Sequence, residues 1–267
     1  MDHRAEDTLA RIEREEFTRG RLPPGAPPAE PRQAATIVLG REISVGFEVL
    51  LLRRPDSARF AAGAFVFPGG VVDGEDADPS MPPRLPESDR QGEDAALVAA
   101  FRELWEETGI LLADRLPAPE ECEVARAELL GGGISMAEIA VRHDLTFYDK
   151  RVEYFTRWIT PVQLARRYDT RFFLARGDRQ EPRLTPEHTA HLWATPSDAL
   201  TRFDARELPM LYPTLSTLQT LAAFGSLEEA LNDFAARVVE PIRAKLIMHG
   251  GRVRPAIPGD AGYADAE

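Results

Sequence analysis

Cysteine is all but absent: Cys122 stands alone among 267 residues. No intrachain disulfide can form, and a zinc site built from cysteines is excluded. As a nucleophile Cys122 is disfavoured, because its neighbours (Pro-Glu-Glu-Cys-Glu) are acidic and oppose a thiolate. Lysine is nearly as scarce, with Lys150 and Lys245 the only two among 32 basic residues. No apolar run approaches the roughly 18–20 residues that span a bilayer. The N-terminus (MDHRAEDTLARIEREE) is charged from its second residue. Neither a transmembrane segment nor a secretory signal is expected, and a cytoplasmic protein is the reading. Basic residues are outnumbered by 44 acidic ones, for a formal net charge of −12. That balance argues against nonspecific binding to nucleic acid or to an anionic membrane. If the substrate is itself anionic, a metal or a local arginine cluster has to compensate.

What is present is enough apolar residue (43%) for a real core, in one large domain or two small ones. Residues 1–33 form a charged and then proline-rich segment, with residues 1–20 a frayed helix and 22–31 a stiff linker. β-Type runs follow at 34–39, 47–52 and 65–67, the last ending in Pro68-Gly69-Gly70. Residues 73–93 hold four prolines and many charges and read as a long surface loop. The clearest helix runs from Glu93 to Thr108 and is closed by Gly109. Residues 117–144 read as a broken helix jointed at Gly131-Gly132-Gly133. Further β-type runs lie at 153–159, 170–175 and 190–194, and a helix starts at Pro196. A catalytic domain over 34–205 is expected, with a helical extension over 206–250 and a flexible tail over 251–267.

On a helical wheel Leu97, Val98, Phe101, Leu104 and Trp105 form a core-facing stripe. Glu103, Glu106 and Glu107 fall on the opposite side, in the last turns before Gly109. Locally this is a poor choice: like charges at i,i+4 repel, and acids near a helix C-terminus oppose the macrodipole. Such a broken local rule points to a site. A hard divalent cation resolves the conflict, because Mg²⁺ prefers oxygen ligands and bridges carboxylates to phosphates. The alternative at this level is a solvated acidic face.

The stretch Arg102-Glu103-Leu104-Trp105-Glu106-Glu107-Thr108-Gly109-Ile110 has the form R-E-U-x-E-E-x-G-U, U being a bulky aliphatic residue. It resembles the second half of the Nudix hydrolase signature, whose full box begins G-x5-E-x7 before the arginine. Here Gly70 is followed by Glu75 and Asp76 near the expected acid, and about eighteen extra residues then precede Arg102. An insertion inside the box, covering 76–93, resembles the branch of Nudix enzymes that hydrolyse coenzyme A and acyl-coenzyme A. Arg59-x3-Gly63-x3-Phe67-Pro68-Gly69-Gly70 is similar to the segment associated with coenzyme A recognition in that branch. Trp158-Ile159-Thr160-Pro161 and Arg167-Tyr168-Asp169-Thr170-Arg171-Phe172-Phe173 are similar to it as well. The resemblance implies an α/β fold, a Nudix-type α/β/α sandwich with a mixed sheet, here with a C-terminal helical appendage.

It also implies roles. Glu103 and Glu107 are the principal ligands of Mg²⁺ or Mn²⁺, with Glu106 a further ligand or a water partner. Arg102 braces a glutamate. The general base is a box glutamate such as Glu106, or Glu187 in the loop before the last strand. Arg59 is a candidate for a coenzyme A phosphate, since a guanidinium binds phosphate bidentately. Gly63, Gly69 and Gly70 let backbone approach the site. Arg166, Arg167 and Arg171 are further sources of positive charge near the mouth; His188 and His191 read as structural, and Trp158 and Trp193 as packing the sheet.

The activity so implied is metal-dependent hydrolysis of the coenzyme A or acyl-coenzyme A diphosphate, with a small-molecule substrate and neither nucleic acid nor membrane as partner. One alternative is hydrolysis of ADP-ribose or another nucleoside diphosphate derivative. A second is a Nudix-fold binding or regulatory protein without turnover, although such proteins usually lack a box carboxylate. The oligomeric state is left open, a homodimer included. The chain ends Ala264-Asp265-Ala266-Glu267, which is no peroxisomal tripeptide.

Overall fold

In the computed structural model residues 20–23, 25–78, 94–113, 115–145, 147, 152–177, 180–249 and 252–265 are described. The expected N-terminal helix, and residues 79–93 of the insertion, lie outside them. The described residues of the proline-rich stretch carry no regular element, and Leu22 N–H donates to Gln163 O (2.8 Å) in the loop after residue 160.

Apolar, β-branched runs build the sheet. β1 (Arg32–Glu42) and β2 (Phe47–Arg53) pair antiparallel. β3 (Phe65–Val66) extends the edge beside β2. β5 (Val152–Ile159), β6 (Tyr168–Arg176) and β7 (Ala190–Ala194) come later in the chain, after β4 (Gly69–Val71). β6 runs parallel to β1, β5 antiparallel to β6, and β7 antiparallel to β2. The sheet is thus mixed and open.

Its two faces sort by the two-residue period of a strand. Ala35, Ile37, Leu39, Leu50 and Leu52 pack on one face against α1 (Asp94–Thr108), α2 (Pro119–Leu130) and α3 (Met136–His143), with Phe101, Leu104 and Trp105 at the centre. Val38, Val49 and Leu51 face the other way, onto α4 (Pro196–Asp204), α5 (Tyr212–Leu221) and α6 (Leu227–Ala235). Because both faces are covered, β1 and β2 read as unbroken apolar runs rather than alternating ones. Each buried Leu or Phe on these faces contributes about 1.5–3 kcal/mol. The α/β/α sandwich with a mixed sheet is as expected.

Two local expectations fail. Gly69-Gly70 is not only the turn after a strand. It is β4, which crosses back onto β1 so that Gly69 faces Thr36 and Gly70 faces Ala35. The extension to residue 250 is not helical throughout, and the tail is not featureless. β8 (Pro241–Arg243) adds to β5 in parallel, and β9 (Lys245–His249) pairs antiparallel with β10 (Arg252–Ala256). Pro241 and Pro255 remove donors that a helix interior needs, and Gly250-Gly251 is a hairpin sequence signal that the helical reading passed over.

Candidate active site

The acidic end of α1 is made tenable by its surroundings. The helix stops where Gly109 takes φ +72°, a left-handed conformation suited to glycine, and its N–H caps Trp105 O (2.8 Å). The remaining carbonyls are met from outside. Glu106 O accepts from Arg126 Nη2 (2.9 Å), Glu107 O from the Thr185 N–H (3.3 Å), and Thr108 O from the Arg183 N–H (2.6 Å). Arg126 thereby sets a cation against the negative end of the dipole. The two backbone bonds tie the loop 180–189 across the helix end and carry Glu187 with it. Arg126 acts from another helix, and nothing in the local sequence marks it.

Arg102 is buried, and its guanidinium organises one side of the site. Nε and Nη2 donate to Asp76 Oδ1 (2.9 Å) and Oδ2 (3.1 Å), Nη2 also to Val71 O (2.9 Å). Nη1 donates to both Glu103 Oε1 (2.9 Å) and Glu106 Oε2 (3.0 Å). Burial works against the charge on Arg102, but Asp76, Glu103 and Glu106 outweigh it and raise the pKa. Asp76 is buried, whereas Glu75 is exposed. Between the two acids that the sequence leaves open, Asp76 therefore partners the arginine. The box spacing itself, five residues between Gly70 and Asp76, held that answer.

Glu107 marks the other side. Only 4% exposed, it is no part of a solvated face. Its Oε2 accepts from the Gly69 N–H (3.1 Å). Its Oε1 lies 3.8 Å from Nε2 of His188, itself buried. Glycine leaves room here that a side chain would take. A Cβ on Gly70 would sit 2.2 Å from Glu103 Oε1, and one on Gly69 2.4 Å from Ala35 O.

Burial raises all three glutamates, with neighbouring carboxylates adding to it and nearby guanidiniums opposing it. Glu103 is pushed up to about 7, with Glu106 and Glu187 adding to burial and Arg102 opposing it. Glu107 is held well above the usual carboxylate range by burial, Glu103 and Glu187, against the Gly69 N–H and Arg54. Glu106 is raised by burial in the face of Arg102. The same burial, with Arg54 nearby, pulls His188 down to about 4, so its imidazole is neutral at pH 7. Glu187 is exposed at the rim, yet its charge is felt by both Glu103 and Glu107. Arg54, which the sequence reading did not single out, is the cation on the Glu107 side; its Nε is fixed by Phe60 O (3.0 Å).

The other expected residues divide. Arg59 is exposed on the loop 54–64, in which Gly63 has φ +77° and its N–H donates to Pro55 O (3.2 Å). Arg166 and His191 are exposed. Arg167 and Arg171 are buried and do not line a mouth. Arg167 binds Thr160 O and Ala29 O, and Arg171 joins Asp169 and Gln33. Trp158 is buried edge-on to Tyr212, and Trp193 is part-buried under the Arg41 guanidinium. A cavity of about 300 Å³ opens beyond Arg102, lined by Asp73, Glu75, Glu106, Gly133 and Glu138 among others. Among the described residues, no three His, Cys, Asp or Glu side chains are gathered on a single point. Glu103 and Glu106 share Arg102 Nη1 instead.

Comparison with known proteins places this geometry. No family model matches the chain. It is 26% identical to acyl-coenzyme A diphosphatase NUDT19 of Gallus gallus over 249 positions, spanning 73% of this chain and 66% of that relative. Against the Homo sapiens protein of the same name identity is 26%, over 91% of this chain and 83% of the relative. A solved NUDIX hydrolase from Alicyclobacillus acidocaldarius is 35% identical, with a TM-score of 0.68, over 76% of this chain and 96% of its own.

Proposed function

The chain belongs to the Nudix hydrolase family, and on that premise we propose that it is a divalent-metal-dependent diphosphatase of coenzyme A or acyl-coenzyme A. The observation that carries the reading is the buried Glu107, one oxygen fixed by the Gly69 N–H, on the same helix end as Glu103 and Glu106. The donors are all oxygens, which suits hard Mg²⁺ or Mn²⁺. Burial is the main cause that raises their pKa values, so their charged forms are poorly solvated and a bound cation would offset that cost. Glu103 and Glu107 would hold it, with Glu106 a further ligand or the partner of a bound water.

A bound Mg²⁺ or Mn²⁺ neutralises pyrophosphate oxygens and lowers the pKa of a water. Glu187, exposed at the rim and not engaged by Arg102, would take a proton from the attacking water as its oxygen bonds to phosphorus. The bond from phosphorus to the bridging oxygen breaks, giving 4′-phosphopantetheine (or its acyl form) and adenosine 3′,5′-bisphosphate. Arg102 steadies Glu103 and Glu106. Gly69 orients Glu107 through its N–H, Gly70 leaves room for Glu103, and the exposed Arg59 next to Gly63 offers a guanidinium to a coenzyme A phosphate. The coenzyme A class is supported by the acyl-coenzyme A diphosphatase activity of the 26%-identical relatives and by the Arg59–Gly70 segment.

The test is a panel of coenzyme A, dephospho-coenzyme A and ADP-ribose with Mg²⁺, with products resolved by mass. The expected result is adenosine 3′,5′-bisphosphate from coenzyme A, with dephospho-coenzyme A a markedly poorer substrate. Turnover of ADP-ribose with coenzyme A left intact overturns the substrate class. Binding of one compound without any turnover overturns the enzyme.

A further inference from the structure

The imidazole of His188 is sealed from solvent, and neither of its ring nitrogens has a hydrogen-bond partner. Buried polar side-chain atoms are rarely left so, and an unpaired one next to a functional carboxylate calls for an explanation. The backbone sets its place. The His188 N–H donates to Thr185 O (3.1 Å), the Thr185 N–H to Glu107 O (3.3 Å), and the Thr189 N–H to Arg53 O (2.8 Å). The loop is thus registered on the very residue that the imidazole faces. Nε2 stands 3.8 Å from Glu107 Oε1, while Oε2 is already held by Gly69.

We infer that His188 is a positioning residue, whose Nε2–H is the donor that fixes Glu107 Oε1 when Glu107 carries a divalent cation. The inference rests on the reading of Glu107 as a cation ligand. A neutral imidazole carries one N–H, enough for this bond. The shortfall from a hydrogen bond is under about 1 Å, within reach of a small side-chain adjustment. With Gly69 on one oxygen and His188 on the other, Glu107 is braced from both sides, as carboxylates that ligate metals commonly are. Direct ligation by Nε2 is the competing arrangement, and the oxygen-only character of the other donors disfavours it for a hard cation.

Mn²⁺ titrated into the whole protein and followed by electron paramagnetic resonance tests this without any substrate. The variants are His188→Phe, which keeps the ring shape without a donor, His188→Gln, whose amide reaches the Nε2 position, and Glu107→Gln as the site control. Loss of an outer bond to a ligand lowers metal affinity about 10-fold or more, so that is the expected change for His188→Phe. His188→Gln should stay within about 3-fold of wild type, because its amide restores the donor. Thermal unfolding of the cation-free variants should not follow this order, since removing unpaired polar atoms does not of itself destabilise. If Phe is not accommodated, His188→Leu carries the same expectation. Equal Mn²⁺ affinity in wild type and His188→Phe overturns the inference, as does ¹⁴N modulation showing the imidazole bound to Mn²⁺. Mn²⁺ affinity unaffected by Glu107→Gln instead overturns the cation reading, an outcome distinct from failure at His188 alone.

Discussion

Two buried charge clusters in this molecule are built from the same residue types and come out opposite. Around Asp169 one carboxylate meets two guanidiniums. Arg157 binds it through Nε (2.7 Å) and Nη2 (2.6 Å), Arg171 stands 3.8 Å off, and Gln33 donates at 3.4 Å. Burial alone would raise its pKa, but these partners hold it below the usual value. At the end of α1 one guanidinium, Arg102, serves Asp76, Glu103 and Glu106, while Glu107 and Glu187 add further negative charge. There the glutamate pKa values rise. The Asp169 cluster pairs its carboxylate within the chain and ties β5 to β6; at the end of α1 the carboxylates outnumber the guanidinium they share. Burial pushes the carboxylates of both clusters up; at Asp169 the guanidiniums outweigh it, and at the α1 glutamates they do not.

The largest expected difference is in turnover. Glu107→Gln removes the proposed ligand of a cation expected to supply several kcal/mol of transition-state stabilisation, so kcat for the diphosphate substrate should fall by about 10³-fold. Asp169→Asn should leave kcat within about 3-fold but remove the buried carboxylate that Arg157 and Arg171 face. Breaking a buried pair costs about 3–5 kcal/mol, which at this chain length lowers Tm by roughly 10 °C. Steady-state kinetics and calorimetry on the two variants would break the comparison if their effects were interchanged.

Gly70→Ala comes next. The added Cβ displaces the end of Glu103, and a misplacement of about 1 Å near the reacting atoms costs on the order of 10²-fold in rate. Stability should change far less, because the atom met is the tip of a side chain and not backbone.

Divalent cation gives a smaller effect in the same direction as the comparison. At about 100 times its Kd, Mn²⁺ adds roughly 2.7 kcal/mol of stability. Tm should therefore rise for wild type and Asp169→Asn and stay put for Glu107→Gln.

The smallest effect is in pH dependence. Burial pushes Glu103 up to about 7 in the folded protein, against 4.5 for an ordinary glutamate. Below about 4.5 both states hold the proton; as pH rises toward 7 the unfolded chain releases it first. Cation-free stability should decline across that window and level off above it. Asp169, lowered in the fold, acts in the reverse sense and only in acid: its stabilisation is present above 3.8 and is lost as pH falls through the lower folded pKa. Saturating Mn²⁺ should flatten the neutral slope, and Asp169→Asn should remove the acid one; denaturation curves from pH 2 to 8 measure both.

The sandwich and the acidic helix end were legible because they are written in local patterns. The apolar stripe of α1, the runs of β1 and β2 and the R-E-U-x-E-E-x-G-U spacing all lie within a few residues of one another. What escaped is what folding assembles from a distance. Arg126 caps Glu106 O from another helix, His188 is brought beside Glu107 by the backbone bonds of Thr185, and Arg54 acts across the site. Arg167 and Arg171 illustrate the reverse error. As charges they suggested a solvent-facing mouth, whereas strand alternation and local carbonyls and Asp169 bury them. The strands after residue 240 were missed because short apolar segments separated by Pro and Gly carry no helical or alternating signature long enough to read.

The most direct measurement is mass-resolved product analysis of coenzyme A with Mg²⁺ for wild type, Glu107→Gln and Asp169→Asn, beside a chelated control. Adenosine 3′,5′-bisphosphate formed by wild type and Asp169→Asn alone is the predicted result. Equal product from Glu107→Gln, or from the chelated enzyme, would contradict a cation held by the carboxylates of α1.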